Sequence, residues 1–324
     1  MINRDVLLVT HGSLHPALRR ELARRGLELR ESRTWVGADT GEARRILGAY
    51  TWFYEGMRHP VDVWRMHRWL RGNGIPLFAW NQDAPNYLNR SKWRLDWFDR
   101  MHWLDVYATH TLIDQRRFAN SWMYFPNAAD IERYNLAGRS LAELRNPAQY
   151  EFDVSFFGAM DGTRYKEMKG RQEFFAALGA RLSERGIRYV FREATGMSVA
   201  EQVALVQATR INLNFGASCD YGSAIASGLP ERCYGIPACG GFLLCDRRTH
   251  SRDDFLPGSD WAEFDGLDDC VVQIEYWLGR FDACRDLAER THDAVVARHT
   301  YAHRAATLHE ALLDWHSGRR GQLR

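Results

Sequence analysis

The residues best suited to chemistry stand together in one short segment, Arg232 to Cys245. Arg232 offers a planar fork of N–H donors that suits phosphate or ribose oxygens. Gly240 and Gly241 permit a close backbone approach just before an apolar run, Phe242 to Cys245, that is typical of a buried strand. A charged anchor, a sharp turn and a strand in so few residues predict a site for a ligand that carries such oxygens.

Alternating strand and helix patterns surround this segment. Val6 to Thr10 and Ile75 to Trp80 read as strands, with a helix from Pro60 to Arg71 between them, and the pattern restarts with a strand at Phe152 to Phe157. Such alternation predicts an α/β protein with mostly parallel sheets and helices on both faces. A length of 324 residues suits two domains. We expect the linker in the polar stretch from Ala137 to Gln149.

From Asp153 to about Ala306 the chain resembles the CgeB-like glycosyltransferases, a family named for a spore-maturation protein. Several segments match in the family's order: Asp153–Gly158, Ile211–Phe215, the signature at Arg232–Gly240 with its Ile-Pro-Ala-Cys-Gly, Arg248–Thr249, Phe255–Gly258, Ile274–Leu278 and His299–Tyr301. The first half matches more thinly, at Trp80–Pro85 and Phe125–Asp130. One position departs: Gly235 stands where the family usually carries a Glu that is expected to meet the donor ribose.

The resemblance implies an α/β enzyme of the GT-B fold, with two Rossmann-like, doubly wound lobes that face a cleft, followed by C-terminal helices. It places an acceptor-side lobe at residues 1–147, a nucleotide-sugar-binding lobe at 148–300 and a terminal helix at 301–324. Such an enzyme moves a sugar from a nucleotide diphosphate sugar, with a UDP-sugar favoured, to a glycan, lipid-linked saccharide, protein or small molecule. Two rival interpretations are a nucleotide-sugar epimerase or hydrolase on this fold, and a non-catalytic nucleotide-sugar-binding protein.

Glycosyl transfer requires that the negative charge of the leaving diphosphate be neutralised, and GT-B enzymes usually achieve this without a metal. The chain has no DxD motif and no Cys and His cluster at zinc-ligand spacing, so we expect neither a metal nor a cofactor. Cationic side chains and backbone N–H groups must then neutralise the charge of the diphosphate. The candidates are Gly158, Arg164, Lys169, Arg171, Arg232, Gly240 and Gly241. Arg164 and Lys169 fit a solvated loop equally well.

Three further residues are candidates for donor binding. Glu231 lies four residues before Gly235, hence on the same face of a helix, where it can replace the family's missing carboxylate. After Pro230 it also suits the N-terminus of a helix, where an acidic side chain favours the macrodipole. Asn212 and Asn214 face one side of a strand, and either is a candidate donor contact or an ordinary strand-end residue.

Three residues in the first half are candidate catalytic groups. His11 and His15 flank the turn after the first strand, where a general base would meet an acceptor, although a lone loop histidine is usually only polar surface. Asp83 follows an apolar strand and precedes Pro85, which predicts a carboxylate at the carboxyl end of that strand. Turn formation by the Asp side chain explains the same pattern.

Tryptophans cluster in the first half, and indole faces stack on sugar rings. Trp80, Trp93 and Trp97 are therefore candidates for an acceptor surface. Burial in the core is the alternative, because Trp93 and Trp97 share one helical face.

Composition limits the protein's partners and location. A net charge of only +2 argues against a general nucleic-acid or membrane-surface binder, so any basic site must be local. No apolar run approaches the ~20 residues that a membrane helix needs, and residues 1–12 lack the pattern of a signal peptide. We expect a cytoplasmic protein without a transmembrane segment.

Overall fold

The computed structural model describes residues 4–32, 40–82, 92–110, 118–163, 168–216 and 227–318. The chain forms two compact units, Met1–Pro126 with Tyr301–Arg324, and Asn127–Thr300. Each unit has one sheet in which all described strand pairs are parallel. The predicted α/β class is therefore confirmed.

The first unit has a six-stranded sheet in the order β2-β1-β3-β4-β5-β6. Its strands are β1 (Val6–Thr10), β2 (Glu28–Ser32), β3 (Ile46–Trp52), β4 (Leu77–Asn81), β5 (Leu104–Thr109) and β6 (Ala119–Tyr124). Its helices are α1 (Pro16–Arg24), α2 (Thr40–Ala43), α3 (Phe53–Arg58), α4 (Pro60–Gly72), α5 (Lys92–Met101) and α12 (Tyr301–His316). A core of side chains from β3, β4, α3, α4 and α5 holds these layers together.

The second unit has a five-stranded sheet in the order β11-β10-β9-β7-β8. Its strands are β7 (Phe152–Gly158), β8 (Tyr189–Glu193), β9 (Thr209–Asn214), β10 (Leu243–Asp246) and β11 (Ala262–Phe264). Its helices are α6 (Lys169–Glu184), α7 (Val199–Gln207), α8 (Arg232–Ala238), α9 (Ser251–Asp254), α10 (Gly266–Leu278) and α11 (Phe281–Arg298). The strand order reverses between β7 and β9, and doubly wound sheets bind ligands at the carboxyl ends of strands beside such a reversal.

The boundary between the units lies before the predicted linker. Asn127 Nδ2 already donates to Leu229 O at 3.0 Å within the second unit. The predicted linker also packs on that unit, since Leu144 is buried and Arg145 pairs with Asp286. Local polarity therefore misplaced the division, because these polar side chains are used in ion pairs.

The predicted separate terminal helix is α12, which belongs to the first unit. The ring of Tyr301 stacks on His15 with centroids 4.3 Å apart, and Arg304 Nε donates to Pro126 O at 3.0 Å. Contacts between such distant positions have no signature in the local sequence, so the terminal helix was wrongly assigned to a part of its own.

Candidate functional site

A cavity of about 230 Å³ opens in the second unit at the carboxyl ends of β7 and β8. Its walls are Gly158 at the end of β7, the segment Glu231–Ile236, one face of α7, and the side chain of Tyr134. The predicted signature therefore lies against the end of the strand that opens the second unit. This position beside the strand reversal is where sheets of this type bind ligands.

Arg232 is the cation of this cavity. Its Nη1 donates to Phe157 O at 2.7 Å, and its Cζ lies 4.8 Å from the centroid of the Phe156 ring. Burial lowers the pKa of its guanidinium, which nevertheless stays charged. No carboxylate among the described residues forms an ion pair with it, and a charge that is partly buried without a partner is costly. An anionic ligand in the cavity would supply the missing partner.

Gly158 is the residue that makes room for Arg232. A Cβ atom added at Gly158 would lie 2.4 Å from Arg232 Nη1 and 2.8 Å from Nη2. Any side chain here would push the guanidinium from its place. Gly158 and Arg232, both selected from the sequence, thus lie side by side. The glycine leaves the space in which the guanidinium reaches the end of β7.

Arg171 is close by but serves the fold. Its Nε donates to Phe215 O and its Nη1 to Ala159 O, both at 2.9 Å, and its Nη2 donates to Gly216 O. These bonds join the loop after β7 to the loop after β9. The predicted direct contact with substrate is therefore corrected: Arg171 is buried on backbone carbonyls and does not line the cavity.

The other predicted cations lie elsewhere. Lys169 is exposed at the start of α6, and its Nζ lies 3.7 Å from Glu173 Oε1. Lys169 is therefore solvated, as the alternative interpretation predicted. Its predicted role in binding the diphosphate is corrected. Arg164 lies outside the described residues.

Asn212 and Asn214 are buried in the sheet, so their predicted donor contacts are corrected. The Oδ1 of Asn212 accepts from Ser155 Oγ at 2.9 Å, which ties β9 to β7. Asn214 Nδ2 donates to Asp246 Oδ1 at 2.8 Å, which ties β9 to β10. A period-two pattern places two residues on one face, but it does not say whether that face is covered.

The Asn214 contact belongs to an ion-pair network that the sequence did not predict. Arg248 is fully buried, and its Nε and Nη2 donate to the two oxygens of Asp246 at 3.1 and 2.9 Å. Asp246 Oδ2 also accepts from Gly216 N at 3.0 Å. The network holds the loop after β9 in place. Its only sequence signal is the spacing of Asp246 and Arg248 at the end of an apolar strand.

Gly240 and Gly241 serve packing, and the cavity does not include them, which corrects their predicted ligand contact. Gly240 has a φ of +76°, and an added Cβ would lie 2.5 Å from Leu144 Cδ1. At Gly241 a Cβ would lie 2.4 Å from Val206 Cγ1. The backbone at Gly240 and Gly241 does have close neighbours, as predicted, but these neighbours are Leu144 and Val206 of the protein and not a ligand.

Glu231 and Gly235 both line the cavity, together with Arg232. An added Cβ at Gly235 would meet only the Tyr134 ring, at an ordinary 3.5 Å from its Cγ. The hydroxyl of Tyr134 donates to Gln202 Oε1 at 2.8 Å. Burial, and next the nearby Glu231 carboxylate, raise the pKa of Tyr134. Sequence reasoning missed Tyr134 and Gln202.

A weak signal for Gln202 was present. A capping box of Ser198 and Glu201 begins α7, and it places Gln202 and Val206 one turn apart on the same face. Tyr134 had no such signal, because its place beside Gly235 depends on a contact between distant parts of the second unit.

In the first unit, His11 is enclosed. Its Nε2 lies 2.9 Å from Asp62 Oδ2 and its Nδ1 lies 3.1 Å from Thr10 Oγ1, and its side chain has 0% exposure. An ionised carboxylate only accepts, so Nε2 carries the proton. No ring nitrogen is left for an acceptor hydroxyl. The predicted general base at His11 is corrected to a residue that ties the turn after β1 to α4.

His15 and Asp83 have different outcomes. His15 precedes α1 and its Nδ1 accepts from Ala17 N at 3.3 Å, so the side chain caps the helix, and its role as a base stays a prediction. Asp83 lies outside the described residues, just beyond the carboxyl end of β4.

The three candidate tryptophans differ in exposure. Trp80 is 2% exposed and its Nε1 donates to Phe125 O at 3.0 Å, so the predicted acceptor contact is corrected to a core role. Trp93 is 65% exposed and Trp97 is 37% exposed. The ring of Trp97 lies edge-on to the buried Trp103, with centroids 4.6 Å apart. The acceptor role of Trp93 and Trp97 stays a prediction.

Two further results concern metals and membranes. Within the described ranges, no group of three or more His, Cys, Asp or Glu side chains is placed to hold a metal ion. None of the helices described has the length and apolar character needed to cross a bilayer.

The sequence matches the model of a family described as glycosyl transferase-like over residues 140–310. No protein with a curated description matches the chain. The family match includes the signature, every cavity-lining residue except Tyr134, and most of the second unit.

Solved structures match nearly the whole chain at low sequence identity. Sucrose-phosphate synthase from Thermosynechococcus elongatus has a TM-score of 0.66 at 11% identity, covering 97% of this chain and 100% of that one. Anabaena Alr3699/HepE in complex with UDP has a TM-score of 0.60 at 10% identity, covering 96% and 100%. The α,α-trehalose 6-phosphate synthase of Burkholderia multivorans has a TM-score of 0.58 at 9% identity, covering 98% and 100%. These matches confirm the predicted GT-B fold class.

Proposed function

Because this chain belongs to the glycosyl transferase-like family, we propose that it transfers a sugar from a nucleotide diphosphate sugar to an acceptor. The observation that carries the proposal is Arg232, a partly buried cation that lines a cavity at the carboxyl edge of the sheet and whose one hydrogen bond within the described residues is to Phe157 O. A diphosphate is the ligand group that best satisfies this cation, since its oxygens accept from the guanidinium fork.

The reaction needs stabilisation of charge on the leaving diphosphate. As the bond from the sugar to the diphosphate breaks, negative charge grows on the departing oxygens, and a fixed guanidinium in a partly dry cavity stabilises it. Arg232 therefore supports transfer without a metal.

The subfamily and the catalytic base are also proposals. The signature and the ordered segments support a CgeB-like enzyme. With His11 enclosed, Asp83 is the residue we propose to accept the proton of the acceptor hydroxyl, because it follows Asn81, the last residue of β4, by two positions in the sequence. The acceptor's class remains a glycan, a lipid-linked saccharide, a protein or a small molecule.

Nucleotide binding tests the proposal most directly. We expect one of UDP, GDP, dTDP and CMP to raise Tm, by an amount that corresponds to ~2.7 kcal/mol at 100 times its Kd. UDP is tested first, because the Anabaena structures hold UDP and UDP-glucose. The shift should be equal in EDTA, since the cavity offers an arginine in place of a metal. A shift that requires magnesium or manganese would contradict the metal-independent mechanism, and no shift with any nucleotide would contradict the function.

Product analysis separates the rival functions. An epimerase or hydrolase consumes the nucleotide sugar when no acceptor is present, whereas a transferase needs an acceptor for rapid turnover. A nucleotide that binds with no turnover of any sugar donor would leave only the non-catalytic interpretation.

The Glu231 and Gly235 pair tests how this chain contacts the ribose. We expect Glu231→Ala to weaken nucleotide binding by about 1.5 kcal/mol, because a hydrogen bond to a charged acceptor is lost. Gly235→Glu in that background should partly restore affinity, since a side chain at position 235 starts from ordinary contact with Tyr134 and lines the same cavity. Titration of single and double variants measures both effects.

Gly235→Ala is the matched control, because its methyl group meets Tyr134 at an ordinary distance and adds no polar atom. We expect its Kd to stay within about twofold of the parent. If Gly235→Glu weakens binding further in the Glu231→Ala background, the glycine instead makes room for a larger ligand.

A further inference from the structure

The outer surfaces of α4 and α5 carry an unusual set of side chains. On α4 the exposed side chains are Val61, Trp64, Arg65, Arg68 and Arg71. On α5 they are Trp93, Arg94, Trp97, Arg100 and Met101. Every one is arginine or a large apolar residue. We call these ten side chains the Arg-Trp face.

Each half of the face is one continuous stripe. At a helical period of 3.6 residues, positions 61, 64, 65, 68 and 71 fall on one side of α4, as do positions 93, 94, 97, 100 and 101 on α5. The opposite sides are buried in one shared core, through Val63 and Met66 of α4 and through Leu95 and Phe98 of α5. The stripes therefore point away from the core of the first unit.

The topology places both helices on the same side of the sheet. Helix α4 lies between β3 and β4 in the chain and α5 lies between β4 and β5, and these strands are parallel neighbours. Successive right-handed crossovers in one direction put their helices on one face of a sheet. Helix α3 contacts the inner side of α5 through Phe53, which lies edge-on to Phe98 at 6.0 Å.

The acidic residues of these helices do not belong to the face. Asp62 Oδ2 lies 2.9 Å from His11 Nε2, and Asp99 Oδ1 accepts from Phe118 N at 3.3 Å. Asp96 is only partly exposed. The carboxylates of Asp62 and Asp99 thus turn toward the protein, and the charge of the ten side chains of the face is positive although the whole chain is nearly neutral at +2.

The arginines of the face are also unlike most of the others. Elsewhere in the described residues most guanidinium groups pair with carboxylates, as Arg145 does with Glu289 and Arg185 with Glu275. On the face, within the described residues, none forms an ion pair; Arg68 covers the Trp64 ring at 5.0 Å and Arg94 covers the Trp93 ring at 5.3 Å. No carboxylate in the described part of the chain therefore neutralises their charge.

We propose that the Arg-Trp face docks the protein on the surface of an anionic lipid bilayer. Tryptophan favours the headgroup region of a membrane, where its ring is partly apolar and partly hydrated. Exposed arginines complement anionic headgroups and add binding energy residue by residue. The inference concerns binding only and does not depend on the identity of the donor or acceptor.

Two features favour a lipid surface over a soluble sugar. Sugar ligands are held in concave sites with a few placed polar groups, whereas this face is the outer surface of two helices and Trp93 is 65% exposed. The face presents no carboxylate or carboxamide to accept from sugar hydroxyls. A convex, cationic and aromatic surface instead matches a wide, flat and anionic partner.

Cosedimentation of the full chain with vesicles tests the proposal. We expect binding to vesicles of phosphatidylcholine with about one third phosphatidylglycerol, and much weaker binding to phosphatidylcholine alone. The paired change Trp93→Ala with Arg94→Gln should lower the partition coefficient about tenfold, because it removes one apolar anchor and one positive charge.

The matched control is the paired change Tyr276→Ala with Arg280→Gln. Tyr276 lies on α10, and Arg280 lies two residues after the end of this helix. Arg280 covers the Tyr276 ring at 4.0 Å, and Tyr276 is 44% exposed, so the same kind of stacked pair is removed from the second unit. Partitioning should be unchanged in the control. Unchanged Tm in both variants would establish that the fold is intact.

Two results would overturn the proposal: no binding to the anionic vesicles, or an equal loss in the face variant and the control. Binding that heparin, a soluble polyanion, removes equally from the parent and from the Trp93 and Arg94 variant would also overturn it, because the tryptophan would then contribute nothing.

Discussion

Replacing Arg232 by Ala should weaken nucleotide diphosphate binding by about 1.5–3 kcal/mol, the range for hydrogen bonds to a charged group. The reason is that Arg232 is the guanidinium that lines the cavity, and its position beside Gly158 is set by contact with Phe157 O. Arg232→Lys should recover only part of the loss, because an ammonium group cannot present a planar fork. Calorimetric titration with the nucleotide that raises Tm measures all three affinities.

The matched control is Arg192→Ala, which removes the same charge from an exposed position of β8 that the cavity does not include. Its Kd should remain within about twofold of the parent. If Arg232→Ala keeps the parental Kd, Arg232 is a structural residue and the diphosphate binds elsewhere. If Arg232→Ala lowers Tm but leaves the Kd unchanged, Arg232 stabilises the fold through its contacts with Phe156 and Phe157.

Replacing Asp246 by Asn should destabilise the protein by about 3–5 kcal/mol, the cost of leaving one partner of a buried ion pair uncompensated. Asn has nearly the volume of Asp, so the effect reports charge rather than a cavity. Arg248 is fully buried and donates to both Asp246 oxygens, and its Nη1 donates to Gly228 O at 2.6 Å. Denaturant unfolding, followed by circular dichroism, gives the free energy of unfolding.

Asp268→Asn is the control for this prediction. Asp268 pairs with Arg181, but both side chains are exposed, and such pairs contribute about 1 kcal/mol or less. Equal effects of the two substitutions would mean that Arg248 is not held by charge. A stable Asp246→Asn protein with weakened nucleotide binding would instead place the network in ligand binding rather than in stability.

Much of the fold followed from local patterns. The apolar runs predicted β1, β4, β7 and β10, and β10 covers most of the run Phe242 to Cys245. Ser198 and Glu201 have the spacing of a capping box, and α7 begins there. These signals depend on the period of a strand or on hydrogen bonds within one turn, which a short segment specifies by itself.

The site was predicted less completely, and the errors share a cause. Asn212, Asn214 and Arg171 have the right chemistry at the right edge of the sheet, yet neighbouring strands and loops use their hydrogen-bonding groups. Tyr134 had no motif and nevertheless forms a wall of the cavity. Whether a polar side chain is free depends on what packs over it, and the local sequence does not contain that information.

The sequence alone therefore determined the α/β class and the glycosyl transferase-like family, and it named Arg232 and Gly158 as candidate site residues, because each of these signals is carried by residues that are near neighbours in the chain. Only the tertiary structure decided that Arg232 faces a cavity, that His11 is enclosed by Asp62, and that α12 belongs to the first unit. Those outcomes depend on contacts between segments far apart in sequence, where packing and the pairing of buried charges select one arrangement among many that local preferences allow.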